Sequence, residues 1–141
     1  MEEFGREVAY PTIEQMIDTN RRMIQAFGGS FSPPDNCRYR QSLEYILDAI
    51  KLRIYDRELF PTLKEKAAAL AYEIISTHVF IDGCKRTGVW VAYEFLVANA
   101  VPIVYDRTVE DIAVEMARGT ASREDFLHWL HSHQPDGSNV L

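Results

Sequence analysis

Residues 62–98 read TLKEKAAALAYEIISTHVFIDGCKRTGVWVAYEFLVA, and how this stretch divides decides the fold. Thr62-Leu63-Lys64-Glu65 is a capping box, in which a threonine hydroxyl and a glutamate carboxylate each accept the other's backbone N–H. Leu63, Ala67, Leu70, Ala71, Ile74 and Ile75 then recur at helical spacing, so a helix runs to Thr77. The run His78-Val79-Phe80-Ile81-Asp82-Gly83-Cys84-Lys85-Arg86 breaks that period and reads as a loop. From Thr87 to Ala98 nearly every face is apolar, with Val89, Trp90, Val91, Ala92, Tyr93, Phe95, Leu96 and Val97. A buried strand competes, but the length favours a helix, and one apolar all round belongs in the middle of a domain.

The flanking sequence continues one helix after another. Pro11-Thr12 opens the first, with Thr12 as N-cap and Gln15 in the reciprocal position. Ile13, Met16, Ile17, Ile24 and Phe27 mark its apolar face, and Gly28-Gly29 stops it. A loop over 30–39, punctuated by Pro33-Pro34 and Asp35-Asn36, leads to a second helix over 41–54. Leu43, Ile46, Leu47, Ile50 and Ile54 form its apolar face. Val101-Pro102-Ile103-Val104-Tyr105 is a short extended piece. Thr108 caps a helix with Val109, Ile112, Ala113 and Met116 inward, ending at Arg118-Gly119. Ser122 caps the last helix, which carries Leu127, Trp129 and Leu130. Residues 134–141 read as a frayed tail. The expectation is one all-α domain over 1–141, of about six or seven helices around a central buried helix.

Composition narrows the function classes. The chain has 141 residues, 47% of them hydrophobic, enough for a sizeable core. A net charge of −6 argues against a surface built for nucleic acid, although a local basic site stays open. Cys37 and Cys84 form neither a CxxC pair nor a disulfide framework, which fits a reducing compartment. Met1-Glu2-Glu3-Phe4-Gly5-Arg6 is acidic where a signal peptide would be basic and then apolar. The longest apolar stretch, 89–101, is broken by Glu94 and Asn99 and is too short to span a bilayer. A cytoplasmic protein without a membrane partner is expected.

The loop carries the chemistry. Lys85 and Arg86 fall at the start of the central helix, where the macrodipole places partial positive charge. The mismatch costs about 0.3–1 kcal/mol per charge, and an anion between the cations and the free N–H groups of the first turn would remove it. Gly83 lets backbone approach such a ligand closely. Asp82 would repel a phosphate directly but reaches one through Mg²⁺. His78 has an ordinary pKa suited to a base near neutrality. Taken singly, each has a plainer role: a helix-end cap, a solvated basic face, an Asp-Gly turn. Together they suit group transfer from a nucleotide.

The run resembles the signature of the Fic/Doc superfamily, H-x-F-x-(D/E)-G-N-(G/K)-R, and is closer to its Doc (death-on-curing toxin) branch. Phe27-Gly28-Gly29-Ser30, Phe60-Pro61-Thr62 through Lys66-Ala67-Ala68, and Ala117-Arg118-Gly119 with Phe126-Leu127-His128-Trp129-Leu130 resemble the family's flanking segments. The resemblance implies a Fic fold and a transferase using ATP or another nucleoside triphosphate with Mg²⁺. It implies His78 as general base, Asp82 as Mg²⁺ ligand, and Gly83, Cys84, Lys85 and Arg86 as the nucleotide-phosphate site. Phe80 would anchor the loop.

Lys85 stands where adenylylating members have glycine, and Val89 replaces the second arginine of the longer motif. Both favour phosphoryl transfer to a hydroxyl of a protein target, with a translation elongation factor as the family's example and growth arrest as the consequence. The resemblance also implies a separate antitoxin protein covering an apolar groove. The inhibitory pattern (S/T)-x-x-x-E-(G/N) is not met, since Asp125 follows the spacing from Thr120 to Glu124. The segment 52–60 corresponds to the family's target-docking flap, with Tyr55 and Phe60 as contacts or as core cover.

Cys84 occupies the motif asparagine position. A thiol is a weak donor compared with an amide, and losing a phosphate contact would cost about 1–3 kcal/mol. Beside two cations the thiol pKa is expected to fall, which makes a nucleophile of Cys84 a minor option. Three functions follow: a Doc-like phosphotransferase toxin, a Fic-type adenylyl or nucleotidyl transferase, and an impaired module that binds nucleotide or a partner. Arg38, Arg40 and Arg53 would form a basic rim or, more simply, solvated surface. His128, His131 and His133 lack a carboxylate or cysteine at ligand spacing, which argues against a metal there.

Overall fold

The structure, a computed structural model, describes residues 7–135. Six helices follow in order: α1 (Ile13–Phe27), α2 (Arg40–Lys51), α3 (Leu63–Ser76), α4 (Cys84–Ala98), α5 (Thr108–Arg118) and α6 (Arg123–His131). The one sheet among the described residues is a hairpin, β1 (Arg53–Ile54) with β2 (Arg57–Glu58), between α2 and α3. The all-α expectation holds. No helix among the described residues is long and apolar enough to cross a membrane. The acidic residues 1–6 and the tail from 136 lie outside the described residues.

Helix starts follow local chemistry. Capping boxes open α1 (Thr12 with Gln15), α3 (Thr62 with Glu65) and α6 (Ser122 with Asp125). The start of α5 differs from expectation. Thr108 does not cap it; the Asp106 carboxylate accepts the Thr108 N–H at 2.9 Å. The Thr108 hydroxyl bonds the same carboxylate and accepts the Trp129 indole N–H at 2.8 Å, so it ties α5 to α6.

The most enclosed helix is α3, which packs against α2, α4, α5 and α6. Its alanines make this possible, since Ala67, Ala68, Ala69 and Ala71 are all buried and let neighbours approach on several sides. Gly88 of α4 meets α3 so closely that an added Cβ would lie 2.5 Å from Ile75 Cγ1. The all-apolar α4 is less central than its composition implies. It begins at Cys84 rather than Thr87, and near its end Val97 is exposed.

One further expectation is corrected. The second helix stops at Lys51, and Ile54 lies exposed in β1 instead of facing the core. Tyr55 and Asp56 both have positive φ (52° and 65°), the pattern of a type I′ hairpin turn, which reverses the chain before another helical turn can form. Residues 101–105 lie outside helix and sheet, and the Val104 N–H bonds the His133 carbonyl at 2.7 Å.

Candidate active site

The loop between α3 and α4 begins at an unusual residue. His78 has φ 54°, the left-handed region that side-chain-bearing residues seldom adopt. Its N–H bonds the Ile75 carbonyl at 3.3 Å and the Val79 N–H bonds that of Ile74 at 3.2 Å. This is the Schellman arrangement, which usually places glycine at the left-handed position. The turn ends α3 and leaves the His78 side chain exposed.

After His78, the chain is held from both sides. Cys37 pairs with Phe80 in an isolated antiparallel bridge: Arg38 N–H bonds the Val79 carbonyl at 2.7 Å, and Ile81 N–H bonds that of Asn36 at 2.8 Å. The N–H and C=O of Phe80 itself point the other way, where Cys84 Sγ accepts the first at 3.3 Å and donates to the second at 3.1 Å. Phe80 is buried in the core. Cys84 thus staples the loop.

The expected drop in the Cys84 pKa is overturned. Burial pushes the thiol up, and the Phe80 N–H, Lys85 and Arg38 only partly offset it. Burial also pushes Cys37 up, to about 11. Neither is an activated nucleophile, because a buried thiolate loses more hydration than distant cations return.

A buried polar network fixes the middle of the loop, and sequence reasoning missed it. Asn20, Asn36 and Thr87 are all fully buried. Asn20 Nδ2 donates to the Asp82 carbonyl at 2.9 Å and to Thr87 Oγ1 at 3.0 Å. Asn36 Nδ2 donates to Asn20 Oδ1 at 2.8 Å and to the same Asp82 carbonyl at 3.2 Å. One signal was available: Asn20 stands four residues from both Met16 and Ile24, on the apolar stripe of the first helix. Gly83 then turns the chain into α4 with φ 82°, where a Cβ would lie 3.0 Å from Asn20 Nδ2.

These contacts aim the Asp82 side chain at the end of α1. Its Oδ2 accepts the Ser30 N–H at 2.9 Å, and a Cβ on Gly29 would lie 2.7 Å from that oxygen. The other carboxylate oxygen has no hydrogen-bond partner among the described residues. No group of three His, Cys, Asp or Glu side chains gathers to hold a metal among them either. A hard cation here would have one protein oxygen and complete its shell with phosphate and water, an arrangement typical of Mg²⁺.

The start of α4 contrasts with the three capping boxes. Its N-cap is Gly83, and no side chain caps it. The first backbone bond of this helix is Thr87 N–H to the Gly83 carbonyl at 3.0 Å, which leaves earlier N–H groups for a ligand. His78, Phe80, Asp82, Gly83, Cys84 and Lys85 line one open cavity of about 490 Å³ there. Arg86 does not line it; its guanidinium lies over the Phe27 ring, 4.3 Å from the centroid.

The segment beside the loop is 36–39, not the 52–60 stretch expected to serve as a flap. The hairpin is pinned to the opposite end of α3. There the buried Lys66 ammonium binds the Glu58 carboxylate and the Phe60 carbonyl. Fourteen helical residues separate the two ends by about 21 Å. Tyr55 is 95% exposed, whereas Phe60 is core beneath the Arg123 guanidinium. Of the expected basic rim, Arg40 pairs with Glu14 and Asp35, and Arg53 pairs with Glu58. Only Arg38 faces the cavity. His133 stacks on Trp129 and bonds Asp106, a structural role.

The fold and loop define an all-α domain whose motif loop lines a cavity at an uncapped helix start. The Fic/DOC family model matches residues 10–96, from the approach to α1 into the last turns of α4. The chain belongs to that family. It is also similar to Toxin Doc of Mycolicibacterium smegmatis (strain ATCC 700084 / mc(2)155), with 35% identity over 83 residues. The match covers 56% of this chain and 63% of that protein.

Proposed function

We propose that this chain is a Doc-like toxin that transfers the terminal phosphoryl group of ATP to a hydroxyl of a protein target. The observation that carries the proposal is the convergence of His78, Asp82, Gly83 and Lys85 on one cavity at the uncapped start of α4. His78 takes the proton as the target oxygen attacks the γ-phosphorus. The bond from that phosphorus to the bridging oxygen breaks, and ADP leaves. Lys85 and the free N–H groups of the first turn hold the phosphate charge. Mg²⁺, held by Asp82, would neutralise charge on the phosphates when bound. Lys85 at the variable motif position favours phosphoryl over nucleotidyl transfer.

The similarity to Toxin Doc supports growth arrest as the outcome, with a separate antitoxin as the restraint. A protein of the translation apparatus, such as an elongation factor, is the proposed target, and the cytoplasm the proposed compartment. A second function, a nucleotide- or partner-binding module without turnover, is favoured by one observation. The Cys84 thiol bonds the loop backbone, so it has little to offer a phosphate.

Incubation with lysate, Mg²⁺ and ATP labelled at the α or the γ position separates the functions. Label on a protein from γ alone supports phosphoryl transfer, and label from α supports nucleotidyl transfer. No label from either, with wild type no more active than His78→Ala, leaves the binding module.

A further inference from the structure

We infer that Arg38 and Tyr39 are nucleotide contacts, Arg38 as a phosphate-binding cation beside Lys85 and Tyr39 as the face on which the base stacks. This rests on the reading that the cavity takes a nucleoside triphosphate. Both residues line that cavity with His78, Asp82 and Lys85. Their backbone is registered to the motif loop, since the N–H groups of Arg38 and Tyr39 both donate to the Val79 carbonyl, at 2.7 and 3.0 Å. They are joined to the site, although they lie about 40 positions upstream of it in sequence.

Charge singles out Arg38. Arg40 is committed to Glu14 at 2.9 Å and Asp35 at 3.1 Å, and Arg53 to Glu58 at 3.1 Å. Arg86 lies over Phe27. Arg38 and Lys85 have no carboxylate partner among the described residues. The one acid in the cavity wall, Asp82, has an oxygen occupied by Ser30 N–H. Two unpaired cations facing one space repel each other unless an anion lies between them. The position of the longer motif's second arginine cannot supply this charge, because valine, Val89, stands there.

Tyr39 supplies a different surface. The residue is 44% exposed, and its ring engages no other ring or cation among the described residues. An open aromatic face beside a cationic patch is the arrangement that binds a base and its phosphates together.

Calorimetric titration of the full chain with MgATP and with inorganic tripolyphosphate tests the assignment. Arg38→Ala is expected to weaken both ligands about tenfold or more, the scale of a lost charged hydrogen bond. Tyr39→Ala is expected to weaken MgATP about fivefold and leave tripolyphosphate unchanged, with Tyr39→Phe restoring affinity. Arg53→Ala, an equal charge change on the remote hairpin, should alter neither. Equal effects of Arg38→Ala and Arg53→Ala, or no effect of Arg38→Ala, overturn the role of Arg38. Equal weakening of both ligands by Tyr39→Ala, or no weakening, overturns base stacking. Wild-type protein that binds no ATP overturns the nucleotide reading and this inference with it. Binding that ignores positions 38 and 39 overturns this inference alone.

Discussion

The C-terminal turns of α3 and α5 share their hydrogen bonds and differ in the residue at their centre. In α5, Gly119 takes φ 83°; its N–H bonds Met116 O at 3.2 Å, and Thr120 N–H bonds Glu115 O at 2.8 Å. In α3, His78 takes φ 54° with bonds to the same relative positions. A left-handed residue with a side chain costs roughly 1–2 kcal/mol, and glycine avoids that cost. Around Gly119 there is nothing within 4 Å of an added Cβ, so conformation alone explains the glycine. At His78 the fold carries the cost, and it gains an imidazole at the mouth of the cavity. Two identical turns thus separate a glycine that conformation alone explains from a histidine whose proposed role is chemical.

The largest effect that would break this contrast is on turnover. His78→Ala keeps a side chain in the left-handed position, so stability should be nearly unchanged. Phosphoryl transfer to target should fall roughly 100- to 10,000-fold, the usual worth of a general base. Retained transfer in the labelled-ATP assay would remove the chemical reason for a histidine there.

Next comes the support behind each turn. The one in α3 is followed by the Asn20–Asn36 network, and the one in α5 has no counterpart among the described residues. Asn20→Ala should cost about 1–3 kcal/mol in urea unfolding, because it strands fully buried groups of Asn36 and Thr87. A loss within error would show that the loop holds itself.

Exchanging the two residues gives a smaller effect of opposite signs. His78→Gly should raise stability by about 1 kcal/mol while abolishing transfer, and Gly119→His should lower it by about 1 kcal/mol with transfer intact. Thermal melts read both, and equal signs would end the comparison.

The smallest effect concerns the thiols. The Cys84 pKa is raised from 9.0 by burial, so less thiolate exists at any given pH than for a free cysteine. Iodoacetamide labelling of Cys84 should be slower than that of a free thiol at pH 7.5. It should still be climbing above pH 9, where a free thiol levels off. Labelling faster than a free thiol at pH 7.5, followed by peptide mass, would restore the activated cysteine.

What was legible along the chain was whatever neighbouring residues settle between themselves. Thr12 with Gln15 and Thr62 with Glu65 sit three apart, so helix starts could be read directly. The end of α2 could not, because Leu52 and Ile54 continue an apolar pattern. The turn at Tyr55-Asp56 also lacks the glycine that usually marks one. The site was legible in part for the same reason. His78, Phe80, Asp82, Gly83, Cys84 and Lys85 come from one run and line one cavity. Arg38, offered by the sequence only as one of three rim arginines, and Tyr39 line it from elsewhere, while Asn20 and Asn36 hold the Asp82 carbonyl from behind.

The sequence by itself determined the all-α class, the helix starts and the chemical content of the motif loop, because caps, periodicity and adjacency are local. Only the tertiary structure decided that α3 rather than α4 is most enclosed, and that segment 36–39 rather than the hairpin flanks the loop. It also decided that the Cys84 thiol is bonded inward and raised in pKa. Those outcomes depend on which distant groups share a buried space, where desolvation and hydrogen-bond satisfaction outweigh anything a neighbour in sequence can impose.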